Sequence, residues 1–329
     1  MAQDRTSTGK RIGRCLAALA MACSCAAWAQ GSYPAQKVEI VVPWTAGQAT
    51  DIAARVMAEH LSGKLGQAFF VSNKAGAGGA VGSMQVARSK NDGYTLLAAS
   101  TGSVVVAPLL TETSYTAGDF APAAMIAKSP SILITAADFP AKNIDDLIRL
   151  LKDNPGKYAF ASSGSGSATH LMAEAFNLGH GIQATHVPYK GSAAALTDVL
   201  AGRVAYMFDT VASVSSQLAA GKVTAYAISS KERSASVPDI PAIAEVTELK
   251  DFDIASWIGL MAPKGASEQD MAVLEKAARD YLETPEAKAK YQNLGLSVSP
   301  MSNAEFQAVV EREVALYSDL LEKLGLKKQ

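Results

Sequence analysis

The sequence is poor in the residues from which many catalytic and metal sites are built. It holds three cysteines and four histidines in 329 residues. Cys15, Cys23 and Cys25 all fall in an N-terminal stretch that reads as a leader, so the chain beyond it has no thiol. That excludes a disulfide framework, a cysteine metal site and a cysteine nucleophile, and leaves stability to a buried core. The histidines, His60, His170, His180 and His186, show no metal-ligand spacing within one element. Neither sign of charge is in excess: there are 30 basic and 31 acidic residues, and removing the leader's four basic and one acidic leaves 26 against 30. A mildly acidic chain with no basic cluster lacks the footprint of a nucleic-acid binder. No apolar run beyond Ala29 approaches membrane length, so the mature chain is expected to be soluble.

Familiar catalytic and nucleotide motifs are missing too. Ser163 is flanked by Ala161 and Ser165, so there is no Gly-x-Ser-x-Gly elbow. No Gly-Lys-Ser/Thr occurs, and the dinucleotide fingerprint fails at Val81 and at Thr169, where a small residue is required. A secreted carboxylate-processing enzyme would need a nucleophile–base pair or a metal, and neither is evident. We expect no cofactor and no catalytic residue.

What is present begins with the leader. Arg5, Lys10, Arg11 and Arg14 precede an apolar run from Cys15 to Ala27, and Ala27-Trp28-Ala29 supplies an A-x-A cleavage signal. The run is too short to span ~30 Å of hydrocarbon. The reading is a signal peptide over 1–29, cleaved after Ala29, and a periplasmic location. The remaining chain exceeds the usual single-domain size, which predicts two lobes.

Beyond the leader, β-branched runs alternate with helical periods. Val38 to Val42 reads as a strand stopped by Pro43, and Asp51 to Leu65 as a helix closed by Gly66. The pattern recurs through strands near Phe69, Tyr94, Ser131, Tyr158, Thr185, Val204–Phe208 and Val223, and it implies a parallel sheet. Caps are predicted at Asn143, Ser267, Thr284 and Ser302. The last helix puts Phe306, Val310, Val314, Tyr317, Leu321 and Leu324 on one stripe. The proline-rich passage Val237–Pro241 reads as a crossing between lobes.

Three loops follow strands and precede helices: Pro43 to Asp51, Asn73 to Gly82, and Ser162 to Thr169. In a parallel sheet such loops gather at the carboxyl ends of the strands, where ligands bind. The free N–H groups of a helix start favour an anion, glycines allow close backbone approach, and hydroxyls add donors. One such loop alone reads as a cap and a turn; three together point to a site. His170, at a helix start beside the Ser/Gly loop, reads as a ring that orients the loop more than as a general base.

With these loops in place the chain resembles the Bordetella uptake gene (Bug) receptors of tripartite tricarboxylate transporters. The resemblance runs from Tyr33 to the C-terminus. It is carried by Pro43-Trp44 with Asp51, the Gly76–Gly82 loop, Asp92-Gly93-Tyr94-Thr95-Leu96, and Ser163-Gly164-Ser165-Gly166-Ser167 with His170. Val187-Pro188-Tyr189-Lys190-Gly191, Arg233, Pro238-Asp239-Ile240-Pro241 with Glu245, and Trp257-x-Gly259-Leu260 extend it. It implies an α/β, type II periplasmic-binding-protein fold with a ligand cleft between two lobes. Lobe 1 is expected over 30–128 and 251–329, and lobe 2 over 129–250. It also implies a receptor that captures a small carboxylate for membrane permease subunits, or delivers it to a membrane sensor; Trp44, whose face can stack on a planar ring, and Gln48, which can meet a second polar end, point to an aromatic or dicarboxylic acid. The receptor is expected to be a monomer. Carried over residue by residue, the ligand positions are Trp44, Gly47, Gln48, Thr50, Asp51, Ala77, Gly78 and Ser100 in lobe 1. From lobe 2 come Ser163, Ser165, Ser167, Thr169, His170, Tyr189 and Asp209. The chain departs from the family's usual Pro-Gly-Gly at Ala46-Gly47-Gln48 and from its usual Phe or Tyr at Trp44, where the ligand tail is expected.

Overall fold

The computed structural model describes residues 33–189 and 191–326. The expected leader, its expected cleavage after Ala29, and Lys190 lie outside the described residues. Residues 36–329 form one compact unit, and it carries two sheets that make a two-lobed α/β fold.

β1 (Val38–Val42) ends where Pro43 removes a ladder donor, and α1 (Ala49–Leu65) follows. β2 (Phe69–Asn73), α2 (Ala80–Ala87) and β3 (Thr95–Ser100) repeat the unit, with β1 parallel to both other strands. A π-helical turn, Thr101–Val106, leads towards β4 (Phe120–Ser129). One residue later, past Pro130, β5 (Ser131–Ala136) opens the second sheet. That lobe continues through α3 (Ile144–Lys152), β6 (Ala159–Ser162), α4 (Ala168–His180), β7 (Thr185–Pro188) and α5 (Ser192–Leu200). β8 (Tyr206–Thr210), α6 (Val211–Ala219) and β9 (Val223–Ile228) complete it. The chain returns as β10 (Ser256–Pro263), then α7 (Glu268–Leu282), α8 (Pro285–Asn293), β11 (Ser297–Val298) and α9 (Asn303–Lys323). Among the described residues no helix is long and apolar enough to cross a membrane.

The sheets run β11-β4-β10-β3-β1-β2 and β7-β6-β8-β5-β9. The alternation implied parallel sheets, and this holds for β1–β3 and β6–β8. β10 is instead antiparallel to β3 and β4, and β5 to β8 and β9. The reason is the route of the chain: it leaves the first sheet on β4 and comes back beside it on β10, necessarily reversed. Ser129 faces Ser256 across that pair. Ser229 N–H donates to Ser131 O at 2.8 Å and Ile254 N–H to Ser229 O at 3.0 Å, which stitches the two crossings together. The Val237–Pro241 passage, expected to cross, stays on the second lobe. Pro241 O accepts from Ile228 N–H at 2.8 Å, and Ala242 bridges Ile228 of β9.

The predicted caps are in place. Asn143 accepts from Asp146 N–H, Ser267 from Asp270, Thr284 from Ala287 with Pro285 in the first turn, and Ser302 forms a capping box with Glu305. On α9, Phe306, Val310, Tyr317 and Leu321 are buried as the period requires. Glu313 is buried among them, which the stripe did not foretell. The strand read at Val204–Phe208 lies two residues later.

Candidate ligand-binding site

The carboxyl ends of β1, β2 and β3 bring three loops of the first lobe together. In the first, Asp51 is 2% exposed and its carboxylate is engaged on every side. Oδ2 accepts from Gly47 N–H at 2.9 Å, Oδ1 from Asn73 Nδ2 at 2.8 Å, and both from Arg55 Nε. Burial works against the charge, but these hydrogen bonds outweigh it and hold the carboxyl below its ordinary range. Asn73 also donates to Trp44 O at 3.1 Å. Asp51 therefore shapes the loop, and Arg55, the nearest cation, is spent on Asp51 and Asn73. Gly47 and Gln48 are exposed at the lip, and Thr50 is buried beneath them.

The second loop is tightly wound. Ala77, Gly78 and Gly79 have φ of 46°, 64° and 94°, and Ala77 is the non-glycine residue in this left-handed region among the described residues. That conformation disfavours Ala77 by about 1–2 kcal/mol, a strain of the kind that gathers at functional sites. Gly79 N–H returns to Gly76 O at 3.0 Å, while the N–H groups of Ala77 and Gly78 find no acceptor among the described residues. A Cβ on Gly82 would stand 2.8 Å from Pro43 Cα, so that glycine lets α2 close on the first loop.

The third loop is the π-helical turn after β3, of which the sequence reading held only Ser100. Ser100 Oγ accepts from Trp44 Nε1 at 3.1 Å and lies 3.2 Å from Ser103 Oγ. The indole edge sits between Gly79 and Gly102, at 3.3 and 3.2 Å from a Cβ on either. Trp44 thus knits all three loops, and its one donor is used internally. Asn73, Arg55 and the 101–103 segment were missed. The Asp51/Arg55 pair at i,i+4 and the Ser100-x-x-Ser103 spacing were the available signals.

On the second lobe the loop after β6 is held from below. Ser163 Oγ lies 3.0 Å from Thr169 Oγ1, and Ser167 caps α4 by accepting from His170 N–H. Ser165 is exposed at the tip. His170 Nδ1 accepts from Gly166 N–H at 3.0 Å, which puts the ring proton on Nε2, facing Glu174 at 3.5 Å. The ring stacks on His186 at 3.8 Å. His186 Nε2 meets Ser162 Oγ at 2.7 Å, and burial, then the neighbouring His170, push its pKa down to about 4. The histidine pair thus orients the loop. Tyr189 donates its hydroxyl to Asp198 at 2.7 Å and turns that end from the loop. Asp209, the last residue but one of β8, is fully buried and accepts from Ser192 Oγ and Thr210 N–H. Across the lobes, Leu110 fills the space over Gly166, where any Cβ would collide with it.

Electrostatically, the helix starts differ in a way that sorts them. α3, α4, α6, α7, α8 and α9 have side-chain caps. α1, α2 and α5 begin at Gln48, Gly79 and Gly191 with none. The first-turn donors of α1 and α5 remain available to an anion, whereas in α2 the N–H groups of Ala80 and Val81 turn back to Ala77 O and Gly76 O. Elsewhere, a shallow groove of about 570 Å³ is lined by Asp138, Phe139, Lys142, Asp146 and Arg149 and includes none of the candidate residues. Among the described residues no cluster of three His, Cys, Asp or Glu is placed to hold a metal ion.

Comparison with known proteins adds to this geometry. Residues 53–326 match the family described as tripartite tricarboxylate transporter family receptor. The chain is 32% identical over 299 residues to protein BugT of Bordetella pertussis, covering 90% of this chain and 91% of that one. Two solved structures from Rhodopseudomonas palustris are similar. One is Rpa4515 with adipate, at 30% identity, TM-score 0.78, and coverage of 89% of this chain and 98% of that one. The other is MatC with bound malate, at 29% identity, TM-score 0.74, and coverage of 88% and 100%.

Proposed function

Because the chain belongs to the tripartite tricarboxylate transporter receptor family, and is a solute-binding receptor, not an enzyme, we propose that it captures a small dicarboxylate in the periplasm. The observation that carries this reading is the contrast in capping. α1 and α2, which follow adjacent parallel strands, have no side-chain cap; the first turn of α1 is bare, and the 76–79 loop leading into α2 adds the N–H groups of Ala77 and Gly78, which find no acceptor among the described residues. Such neutral donors seat a carboxylate without a cation. The ligands named for the two Rhodopseudomonas palustris structures, adipate and malate, are both dicarboxylates. The indole of Trp44, its N–H bonded to Ser100 and one edge set against Gly79 and Gly102, keeps no donor for a ligand. In this reading residues 1–29 are a cleaved leader, 30–128 with 251–329 make lobe 1, and 129–250 make lobe 2. The monomer closes its lobes on the diacid and hands it to membrane permease subunits. Trp44, Gly47, Gln48, Thr50, Ala77, Gly78 and Ser100 form one wall of the seat, shaped by Asp51. Ser163, Ser165, Ser167 and Thr169, set by His170, form the other.

The test is a thermal-shift panel of adipate, malate, citrate and benzoate on the mature protein, followed by calorimetry. Ligand at a hundred times Kd stabilises by about 2.7 kcal/mol, a shift easily read. Adipate or malate should raise Tm and benzoate should not. A panel with no response, or a response to benzoate alone, would end the dicarboxylate reading.

A further inference from the structure

Glu313 is an acid buried in an apolar stripe, 8% exposed, and nothing in ligand capture so far calls for it. Its Oε2 accepts from Trp257 Nε1 at 2.6 Å and from Thr101 Oγ1 at 3.1 Å. Thr101 Oγ1 in turn accepts from the Trp257 backbone N–H at 3.2 Å. The hydroxyl's one proton goes to Glu313 and its lone pair takes the Trp257 N–H, so the donors of Thr101 and Trp257 at these three corners are all used. The three corners have different employments. Thr101 opens the π-helical turn whose Gly102 receives the Trp44 ring. Trp257 is the second residue of β10, paired with Lys128 just inside the crossing between lobes. Glu313 belongs to α9, which closes the first lobe.

A buried carboxylate is an expensive way to fill this space, since an apolar side chain of similar volume often serves stability as well or better. Its directional bonds give what an apolar side chain cannot, a fixed relation between loop and strand. We infer that Glu313 is a positioning residue for the ligand seat: it ties the third ligand loop to the strand returning from the second lobe, so one side chain sets loop geometry and crossing geometry together.

The group also titrates in a useful range. Burial pushes its carboxyl up to about 7, against the opposing hydrogen bonds of Trp257 and Thr101 and the charges of Arg312 and Lys128. The titratable groups around it are Lys128 on β4, Arg312 and the buried Tyr317 on α9, and Asp253, which precedes β10 and pairs with Lys128 at 3.7 Å. The π-helical turn contributes none. The two bonds favour the ionised carboxylate and burial the neutral acid; because burial prevails, an opening of 101–106 that lets water reach Glu313 is least favoured below the ordinary value near 4.5 and becomes easier as pH rises through about 7.

Hydrogen exchange on the mature chain tests this directly, with Glu313→Gln, Glu313→Leu and Thr101→Val. Glu313→Gln keeps an acceptor and cannot ionise. It should match the wild type at pH 6 and lose the wild type's fall in protection of residues 101–106 towards pH 8, after correction for intrinsic rates. Glu313→Leu should speed exchange of 101–106 by about tenfold while α9 stays protected. If that variant fails to fold, Thr101→Val removes the same tie from the loop side and should do the same. A second arm, resting on the dicarboxylate reading, measures calorimetric Kd with adipate and malate. Whichever the wild type binds should bind about tenfold more weakly to Glu313→Leu or Thr101→Val and nearly normally to Glu313→Gln. Unchanged exchange in 101–106 in both severing variants would overturn the inference. So would opening confined to α9, or a shared pH slope in wild type and Glu313→Gln. Failure of both diacids to bind the wild type would count against the dicarboxylate reading alone, and the exchange arm would still decide the role of Glu313.

Discussion

Replacing Asp209 with Asn should make the protein relatively more stable as pH rises, and the size of the effect follows from how the carboxylate is housed. Oδ1 accepts from Ser192 Oγ at 2.9 Å and Thr210 N–H at 2.8 Å, while Oδ2 is buried with no partner among the described residues. Burial raises the pKa from 3.8 to about 6, with the hydrogen bonds pulling back only partly. The native state therefore holds this proton more tightly than the unfolded chain does. The stability associated with it is fully present below the unfolded value and is lost as pH rises through about 6. Two units at 1.36 kcal/mol each amount to about 3 kcal/mol in all, and about 2 kcal/mol of it falls between pH 4.5 and pH 7.5. Asparagine keeps the Oδ1 acceptor but puts an amide donor where Oδ2 found no partner, a penalty of about 1–3 kcal/mol at every pH. The absolute stability of the variant is thus not the informative quantity; its pH dependence relative to wild type is. Urea unfolding at the two pH values should show the variant gaining about 2 kcal/mol on the wild type. Titration of Glu313 is common to both chains and cancels. Stability curves that run parallel would mean that Asp209 stays ionised throughout, and the argument from burial would be wrong.

Asp51→Ala removes the acceptor shared by Gly47, Asn73 and Arg55, so it should lower stability by about 1–3 kcal/mol and, on the proposed dicarboxylate reading, weaken diacid binding about tenfold or more; calorimetry with normal affinity would show that the loop is held otherwise. Gly79→Ala sets a Cβ 2.7 Å from Ser103 Cβ at a φ of 94°, whereas Gly78→Ala meets nothing within 4 Å and bears only the strain of φ. Melting should rank Gly79→Ala as the worse by about 1 kcal/mol or more, and the reverse order would refute the packing account. Trp44→Phe and Ser100→Ala each break the Nε1–Oγ bond, so a double-mutant cycle should give a coupling of about 1 kcal/mol, while additive losses would deny the bond any net worth. His170→Ala frees Gly166 N–H, and exchange in 163–167 should rise while α4 stays protected; an unchanged loop would return His170 to mere packing.

The parts of this fold that announce themselves are those whose causes are local. Pro43 stops β1, Gly66 closes α1 in the left-handed region, and Asn143, Ser267, Thr284 and Ser302 cap the next three or so residues along. The first two loops of the candidate site and the Ser/Gly loop are legible for the same reason, since glycine and hydroxyl residues mark backbone that must bend or stay open. What escaped notice was decided by partners far along the chain. Nothing near Glu313 says that Trp257 and Thr101, 56 and 212 residues away, will meet it. A run of alternating elements does not say that β10 will return reversed between β3 and β4. Asp51 shows both sides: its place at a helix start was plain, but its employment by Asn73 depended on the pairing of β1 with β2.

The position of β10 also governs the order in which the chain can become a protein. It is an interior strand of the first sheet, yet it is made after all of the second lobe's strands. Until residue 263 is available, β3 and β4 face an empty slot, each with a bare hydrogen-bonding edge of apolar residues. The second sheet, by contrast, is drawn entirely from residues 131–228 and can assemble as a unit. A chain cut short before β10 would thus own a complete back half and a front half in which β3 has one bare edge and β4, lacking β11 too, has two, the kind of surface that seeks strands from other molecules. Synthesis from the N-terminus begins the first lobe early and finishes it last.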